Sequence, residues 1–277
     1  MTFEAERLGE SGTELASLLR ELRKRAGLSG DRLAARCNMS QSKVSRIENG
    51  RTRPSLVDVE QILRALDAPP SMIAEVAALA RLAHTEWRNL RGLRRKGLGT
   101  RQAELRSLEA SSTHMRYFLL SMVTGLLATP EYVRASLAHS PADTSKAVAG
   151  KLERQAILYD VSKQFSFILT EQAIRWPVVS PLALAEQMDR LSSLTYLPNV
   201  RIGVIPVGAP TSRVPLNTFT VYDASLVTIE TSAGSLVLRD SRDVRSYLDE
   251  FAQYEEYAAS DGEARAMLAE WSAACRS

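Results

Sequence analysis

Apolar positions in the first quarter of the chain recur every three or four residues, in short bursts that each end at a turn-forming residue. In TELASLLRELRKRAGLS, Leu15, Leu18, Leu19, Leu22 and Ala26 share a helical face. Thr13 stands in the N-cap position, and Gly27 follows the last turn, where a left-handed residue costs least. GDRLAARCN reads as a second helix of about two turns, with Ser29 as its cap, Asp31 in the positively polarised first turn, and Leu33, Ala34 and Cys37 facing inward. Ser40 caps a third, QSKVSRIEN, with Val44 and Ile47 inside. In SLVDVEQILRALDAP, Ser55 and Asp58 have capping-box spacing and Val59, Ile62, Leu63 and Leu66 share a face. Four short helices are thus predicted between Thr13 and Asp67.

Past a proline pair, Ile73, Val76, Leu79, Ala80, Ala83, Trp87 and Leu90 keep helical spacing. They predict a continuous fifth helix from Met72 to Lys96, about 37 Å long at 1.5 Å per residue, serving as connector and dimer strut. Its basic end, Arg94, Arg95 and Lys96, reads as a solvated face, contact with flanking phosphates being the other option. KGLGT supplies hinge glycines near Leu98. The predicted division is residues 1–70, a connector and hinge over 71–104, and a second domain over 105–277.

In that second domain, MRYFLLSMVTGLLATPEYVRASLA reads as helix bent at a glycine, with Pro130 starting a new helix. SKAVAGKLERQAILYD is helical, and FSFILT, RIGVIPV, NTFTVYD, LVTIET and SLVLRD are strand candidates. SPLALAEQMDRLSSLTYL carries the stripe Leu182, Ala185, Met188, Leu191 and Leu194. The end of the chain gives one helix to Ala259 and another after Asp261. The predicted class is an all-α N-terminal domain followed by an α+β domain with a mixed sheet.

Composition adds limits. A chain of 277 residues with 45% hydrophobic content can bury a substantial core. No apolar run approaches the ~20 residues of a bilayer crossing, and MTFEAERLGE lacks the layout of a signal peptide, so a cytoplasmic protein is expected. Cys37 and Cys275 are expected to be reduced, and with three scattered histidines they offer no metal-ligand spacing. No cofactor is implied. The charge is asymmetric: residues 1–100 hold 18 Lys and Arg against 12 Asp and Glu, a balance of +6, and the remainder holds 17 against 20, a balance of −3. The N-terminal part is therefore suited to a polyanion.

The third helix gives that polyanion an address. At roughly 100° per residue, Val44 and Ile47 define its inner face, while Ser42, Ser45, Arg46 and Asn49 point outward and Gln41 projects from the first turn. Amide, hydroxyl and guanidinium groups on such a face can hydrogen-bond base edges in a DNA major groove, Arg suiting guanine and Gln adenine. Two helices joined by a tight turn, the second polar outside, is the helix-turn-helix layout.

GLSGDRLAARCNMSQSKVSRIENGRTRP resembles the XRE family of phage-repressor and Cro-like DNA-binding domains, which implies a lambda-repressor-like helix-turn-helix fold over residues 1–70. The resemblance implies that Gln41, Ser42 and Arg46 read bases and that Ser40, Lys43, Asn49, Arg51 and Arg53 lie near phosphates. The bland alternative for Arg51 and Arg53 is solvated loop charge. It also implies a structural ion pair between Arg23 and Glu48. Gly30 stands where many relatives carry a glutamine that touches phosphate. A homodimer on an inverted repeat of double-stranded DNA is expected.

No G-x-S-x-G, phosphate-loop or H-E-x-x-H motif is present, His84, His114 and His139 have no obvious partners, and Glu171 with Glu230 is a poor acid/base pair, so no enzyme is expected. TGLLATPEYVRASL, TEQAIRWPV, LPNVRIGVIPV, NTFTVYD and LVTIET, in that order, are similar to the C-terminal domain of actinomycete WhiJ-type regulators, described as antitoxin-like and often encoded beside a small BldB-like protein. Ala128, Trp176 and Val179 depart from the usual forms of those motifs. The resemblance implies a sensing domain for a small partner protein or a small-molecule effector. GLLATPEY, QAIRWP and PVGAPTSRVPLN could surround a groove in which Tyr132, Trp176 and Tyr222 meet a ligand, or those residues could be ordinary core and turn positions. The leading expectation is a dimeric repressor; the rival is an interaction protein that mainly sequesters its small partner.

Overall fold

The structure is a computed structural model that describes residues 7–89, 98–140, 143–209, 212–231 and 234–277. The chain divides into two compact units, Met1–Asn89 with Leu236–Val244, and Leu90–Ser235 with Arg245–Ser277. Among the described residues, no helix is long and apolar enough to cross a membrane, and no group of three or more His, Cys, Asp or Glu side chains could hold a metal ion.

The first unit is built from α1 (Arg7–Arg25), α2 (Gly30–Arg36), α3 (Gln41–Glu48), α4 (Leu56–Ala65) and α5 (Pro70–His84), followed by strand β1 (Thr85–Asn89). Its short helices start where their sequences supply a cap. Ser29 Oγ accepts from Arg32 N and Ser40 Oγ accepts from Lys43 N, each at 3.2 Å, and Ser55 with Asp58 closes both halves of a capping box. Gly27 ends α1 at φ +66°, and Asn38 makes the α2–α3 turn at φ +51°, the left-handed region that asparagine tolerates better than most residues. Leu15, Leu19, Leu33, Val44, Ile47, Val59, Ile62, Leu63 and Ala80 form a continuous buried core. Each large aliphatic side chain there stabilises the unit by about 1.5–3 kcal/mol relative to exposure. Arg23 crosses from α1 to the end of α3: its Nε and Nη2 donate to the two carboxylate oxygens of Glu48 at 2.6 and 2.8 Å, and Nη1 donates to Leu28 O at 2.7 Å. In the later segment that joins this unit, Arg242 pairs with Glu60 of α4 at 3.2 Å.

Three details of this region differ from the sequence expectation. Helix α1 starts at Arg7, so Thr13 lies inside it and is no cap. The fifth helix stops at His84, and TEWRN forms β1, a sequence whose threonine and tryptophan are residue types enriched in strands. Leu98, Gly99 and Thr100 of KGLGT start a new helix, α6 (Leu98–Ser111), and Lys96 and Gly97 lie outside the described residues. Arg94, Arg95 and Lys96 lie outside the described residues, as do Leu90 and the side chains of Leu79, Ala83 and Trp87.

The chain from Leu98 onward is α+β and forms the second unit except for Leu236–Val244, which group with the first. After α6 come β2 (His114–Leu119), α7 (Pro130–Ser136), α8 (Ser145–Arg154) with a 3-10 turn to Tyr159, β3 (Gln164–Thr170), α9 (Glu171–Arg175), α10 (Pro181–Leu194), β4 (Val200–Ile205), β5 (Thr218–Tyr222), β6 (Leu226–Glu230), β7 (Gly234–Leu238), α11 (Ser241–Tyr257) and α12 (Asp261–Arg276). Six strands form a mixed sheet in the order β7-β6-β5-β2-β3-β4. β2, β3 and β4 run parallel, with Tyr117 beside Phe167 and Phe167 beside Ile202. β5 turns the direction, pairing antiparallel with β2 and β6. The five strand candidates are all strands. HMRYFL, expected as helix, is also a strand, set between β5 and β3, because a short apolar run has no periodicity of its own and takes the conformation its neighbours can hydrogen-bond. In α10 the stripe holds for Ala185, Met188, Leu191 and Leu194, whereas Leu182 is 59% exposed.

Helix α6 is fixed by buried polarity. Glu109 accepts from Arg154 Nε of α8 at 2.9 Å and from its Nη2, while Arg154 Nη1 donates to Gln102 Oε1 at 2.6 Å. Arg154 and Glu109 side chains are 5% and 1% exposed. Lys163 Nζ caps the carboxyl end of α6 through Ala110 O and Ser112 O, at 2.8 and 2.7 Å.

Two stability predictions follow from these pairs. Glu48→Ala leaves the guanidinium of Arg23 mostly buried without its partner, and should cost roughly 2–3 kcal/mol. Hydrogen exchange on the full chain should show lost protection in α1 and α3, with the amides of β2 and β3 unchanged. Glu109→Ala should cost about 3–5 kcal/mol, and a Glu109→Leu/Arg154→Met double variant should recover most of that, because an apolar pair needs no charge compensation. Urea denaturation of both variants measures the difference.

Candidate nucleic-acid interface

An eight-residue helix cannot hold itself in water, so α3 takes its position from what it packs on. Val44 and Ile47 are buried in the core, and Glu48 at the last turn is clamped by Arg23. The hydrogen bond to Glu48, opposed by partial burial, holds the Arg23 guanidinium above its ordinary pKa, so it stays charged. What remains of α3 faces solvent. Gln41, Ser42, Arg46 and Asn49 are exposed, and Lys43 and Ser45 half-exposed, which places Gln41 and Ser42 in the first turn and Arg46 one turn later on the same outer face. Arg46 Nε donates to Ser42 O at 3.3 Å, and Asn49 Nδ2 to Ser45 O at 2.8 Å. The outer face is thus a row of exposed donors and acceptors, and it can bond to base edges.

The residues expected near phosphates divide. Gly50, at φ +67°, turns the chain out of α3, and the exposed Arg51 and Arg53 lie on the loop that follows. Ser40 serves first as the α3 cap, its hydroxyl also 3.1 Å from that of Ser42. Lys43, expected near phosphate, has its Nζ 2.7 Å from Asp58 Oδ1. Burial pushes the Asp58 carboxyl up, but the hydrogen bonds from Lys43 and Ser55 together outweigh it and hold the group below the ordinary carboxylate value. Asp58 therefore caps α4 and draws charge from α3 at once. The capping-box spacing signals the first role; nothing local in the sequence signals the second, which joins residues 15 positions apart.

The proposed aromatic groove of the second unit is assembled only in part: Tyr222, Gly125 of GLLATPEY, and Leu216 and Asn217 of PVGAPTSRVPLN line one cavity, while Tyr132 and Trp176 are not among its lining residues. Tyr132 is buried, and its hydroxyl accepts from Val123 N at 3.1 Å. Tyr222 is buried beside that cavity, and Trp176 is 54% exposed at the end of α9. The loop GLLATPEY is held by amides and guanidinium instead. Gln155 Nε2 donates to Gly125 O and Ala128 O, Gln187 Nε2 and Arg190 Nε donate to Leu127 O, and Gln187 Oε1 accepts from Thr129 N, all within 2.7–3.1 Å. That run of residues therefore has a structural reason to exist, since its buried backbone groups need these partners.

Residues 14–79 match a helix-turn-helix domain. Residues 102–270, more than half of the chain, match a domain of unknown function, DUF5753. No curated protein matches the chain in sequence. Among solved structures, NucT from Helicobacter pylori is similar at a TM-score of 0.40 and 10% identity, over 64% of this chain and 98% of that one. Nuc, a phospholipase D family member from Salmonella typhimurium, is similar at 0.34 and 10% identity over 58% and 90%. TrmBL2, an archaeal chromatin protein with a novel mode of DNA binding, is similar at 0.32 and 10% identity over 64% and 53%. Similarity at this level does not define a shared fold. The two sequence matches do define the architecture: the chain carries an N-terminal helix-turn-helix DNA-binding domain and belongs to the DUF5753 family.

Proposed function

We propose that this protein is a sequence-specific transcriptional regulator of the XRE kind, acting as a homodimeric repressor on an inverted-repeat operator. Its WhiJ-type α+β domain takes a signal from a small BldB-like partner protein or a small-molecule effector. The observation that carries the reading is the outer face of α3, where Gln41, Ser42 and Arg46 are exposed together on a helix whose inner face and last turn are fixed. Dimerisation follows from physical need: one module of this size buries little DNA surface, and two recognition helices in successive major grooves multiply the affinity. The reading is of a binder and not an enzyme. Glu171, one half of the only carboxylate pair considered for catalysis, accepts from Val207 N at 2.8 Å and pairs with Arg175, which supports a structural role.

Fluorescence anisotropy on the chain's own upstream DNA, with competitor DNA and a salt titration, tests the reading. Gln41→Ala/Arg46→Ala should abolish competitor-resistant binding, and Arg46→Ala alone should cost about 1–3 kcal/mol and relax discrimination at one base pair. Equal, weak binding by the parent chain and the double variant would remove the proposal. Arg53→Ala should weaken binding to all duplexes alike and lower the salt slope by about 1. Asp58→Asn should do the opposite: it leaves Lys43 un-neutralised, so binding to any duplex tightens and the slope steepens by about 0.9. An unchanged slope would show that Lys43 stays clear of phosphate.

A further inference from the structure

Strands β2, β5 and β6 present two unlike faces. One carries Phe118, Phe219, Val221, Val227 and Ile229, all buried, and receives rings from α11, with Phe118 to Tyr254 at 4.2 Å and Phe219 to Tyr247 at 4.9 Å between centroids. The other is polar. The register sets Tyr117 beside Thr220, Thr220 beside Thr228, and Thr218 beside Glu230, so their side chains fall on one side of the sheet. With Tyr222 they floor a cavity of about 500 Å³. Its walls come from α6, α8 and the loop that leaves the carboxyl end of β2, the place where sheets with parallel strands leave room for ligands.

Tyr117, Thr220, Tyr222 and Thr228 are each less than a tenth exposed. A sheet face that only had to pack on helices would carry apolar side chains, because a buried hydroxyl is unfavourable unless it is bonded. Burial raises the pKa of the Tyr117 and Tyr222 phenols; Tyr117 Oη donates to Glu109 Oε1 at 3.4 Å and Tyr222 is hydrogen-bonded to Thr228, so what the floor offers an entering group is chiefly the further acceptor capacity of these hydroxyls. The rim differs from the floor: Met122 and Leu216, both lining the cavity, are 40% and 79% exposed. Formal charge in the lining cancels. Arg154 is paired with Glu109, and the lining holds one further cation, Lys151, and one anion, Glu230.

We propose that this cavity is a binding site for a small, uncharged organic molecule whose hydroxyl or carbonyl groups meet the Thr220, Thr228 and Tyr222 floor and whose apolar substituent lies against Met122 and Leu216. The volume is in the usual range for small-ligand sites. Resting on the regulator reading above, such a molecule is the effector of the DNA-binding protein; the site itself does not depend on that reading.

The test is saturation-transfer NMR on the full chain with phenylethylene glycol, beside benzoate and benzylammonium as charged molecules with the same ring. The diol should bind saturably with a Kd of about 1–10 mM, as expected for so few heavy atoms, and more tightly than either ion. Thr220→Val/Thr228→Val keeps the shape and removes two hydroxyls; it should weaken the diol roughly fivefold or more. Leu216→Ala, at an exposed position that cannot unfold the domain, should weaken it about threefold by loss of apolar contact. No saturable binding, equal or tighter binding of benzoate or benzylammonium, or unchanged affinity in both variants overturns the site. Once binding is measured, DNA anisotropy with and without saturating diol separates the two claims. A shifted DNA affinity supports the effector role, and an unshifted one removes that role while the site stands.

Discussion

A recognition helix of eight residues has to be held from outside, since a helix that short does not persist alone in water. Everything in the N-terminal unit serves that constraint. Val44 and Ile47 are set into a core built from four other helices, Ser40 fixes the first turn, and the bidentate bond from Arg23 to Glu48 fixes the last. With both ends and one face committed, the side chains left over are free to be polar, and they are the ones that can meet DNA. The ion pair is suited to the last turn because both groups are shielded from solvent and bonded: the Glu48 oxygens accept from Arg23, whose Nη1 also donates to Leu28 O.

Buried polarity organises the second unit as well, but for a different reason. Crossovers that return the chain to parallel strands bring loops and helix ends inside, where their carbonyls need donors. Gln155, Gln187 and Arg190 supply them to the loop at residues 125–129, Lys163 supplies them to the end of α6, and Asn199 Nδ2 donates to three further carbonyls around residues 158–163. These are long polar side chains reaching back to main-chain oxygens, a pattern that fixes loops without asking them to be apolar. Motif residues that look like ligand contacts in the sequence are, at this loop, the backbone that such side chains hold.

What could be read from the sequence follows the range of the physics involved. Caps at Ser29, Ser40 and Ser55, the positive-φ Gly27, and the inner positions of α3 and α4 were legible because each depends on neighbours within four residues. The strands β3 to β7 were legible through β-branched runs between turn residues. The strand HMRYFL was not, since only its pairing with β3 and β5 decides between helix and strand. The break of the connector at Thr85 went unread because apolar spacing continued across it. The Lys43–Asp58 bond and the Glu109–Arg154–Gln102 network join residues 15 and about 50 positions apart, and no local pattern announces them. Tyr132, Trp176 and Tyr222 share amphipathic chemistry, but the fold buries two and exposes the third.

The two polar surfaces on which the functional reading rests are distinguished by their surroundings. On α3 the polar groups face solvent, as surface residues usually do, so polarity alone says little; the argument comes from the rigidity behind them and their spacing along one face. On β5 and β6 the hydroxyls of Thr220 and Thr228 are buried, where apolar side chains would pack at lower cost, so their polarity is itself the informative feature. The contrast with Phe219, Val221, Val227 and Ile229, on the same strands but the opposite face, removes strand propensity as the explanation, because threonine and valine suit a strand about equally. A hydroxyl-lined cavity in a sheet whose other side is packed with rings is the arrangement expected where packing has been given up for hydrogen bonding to something that enters.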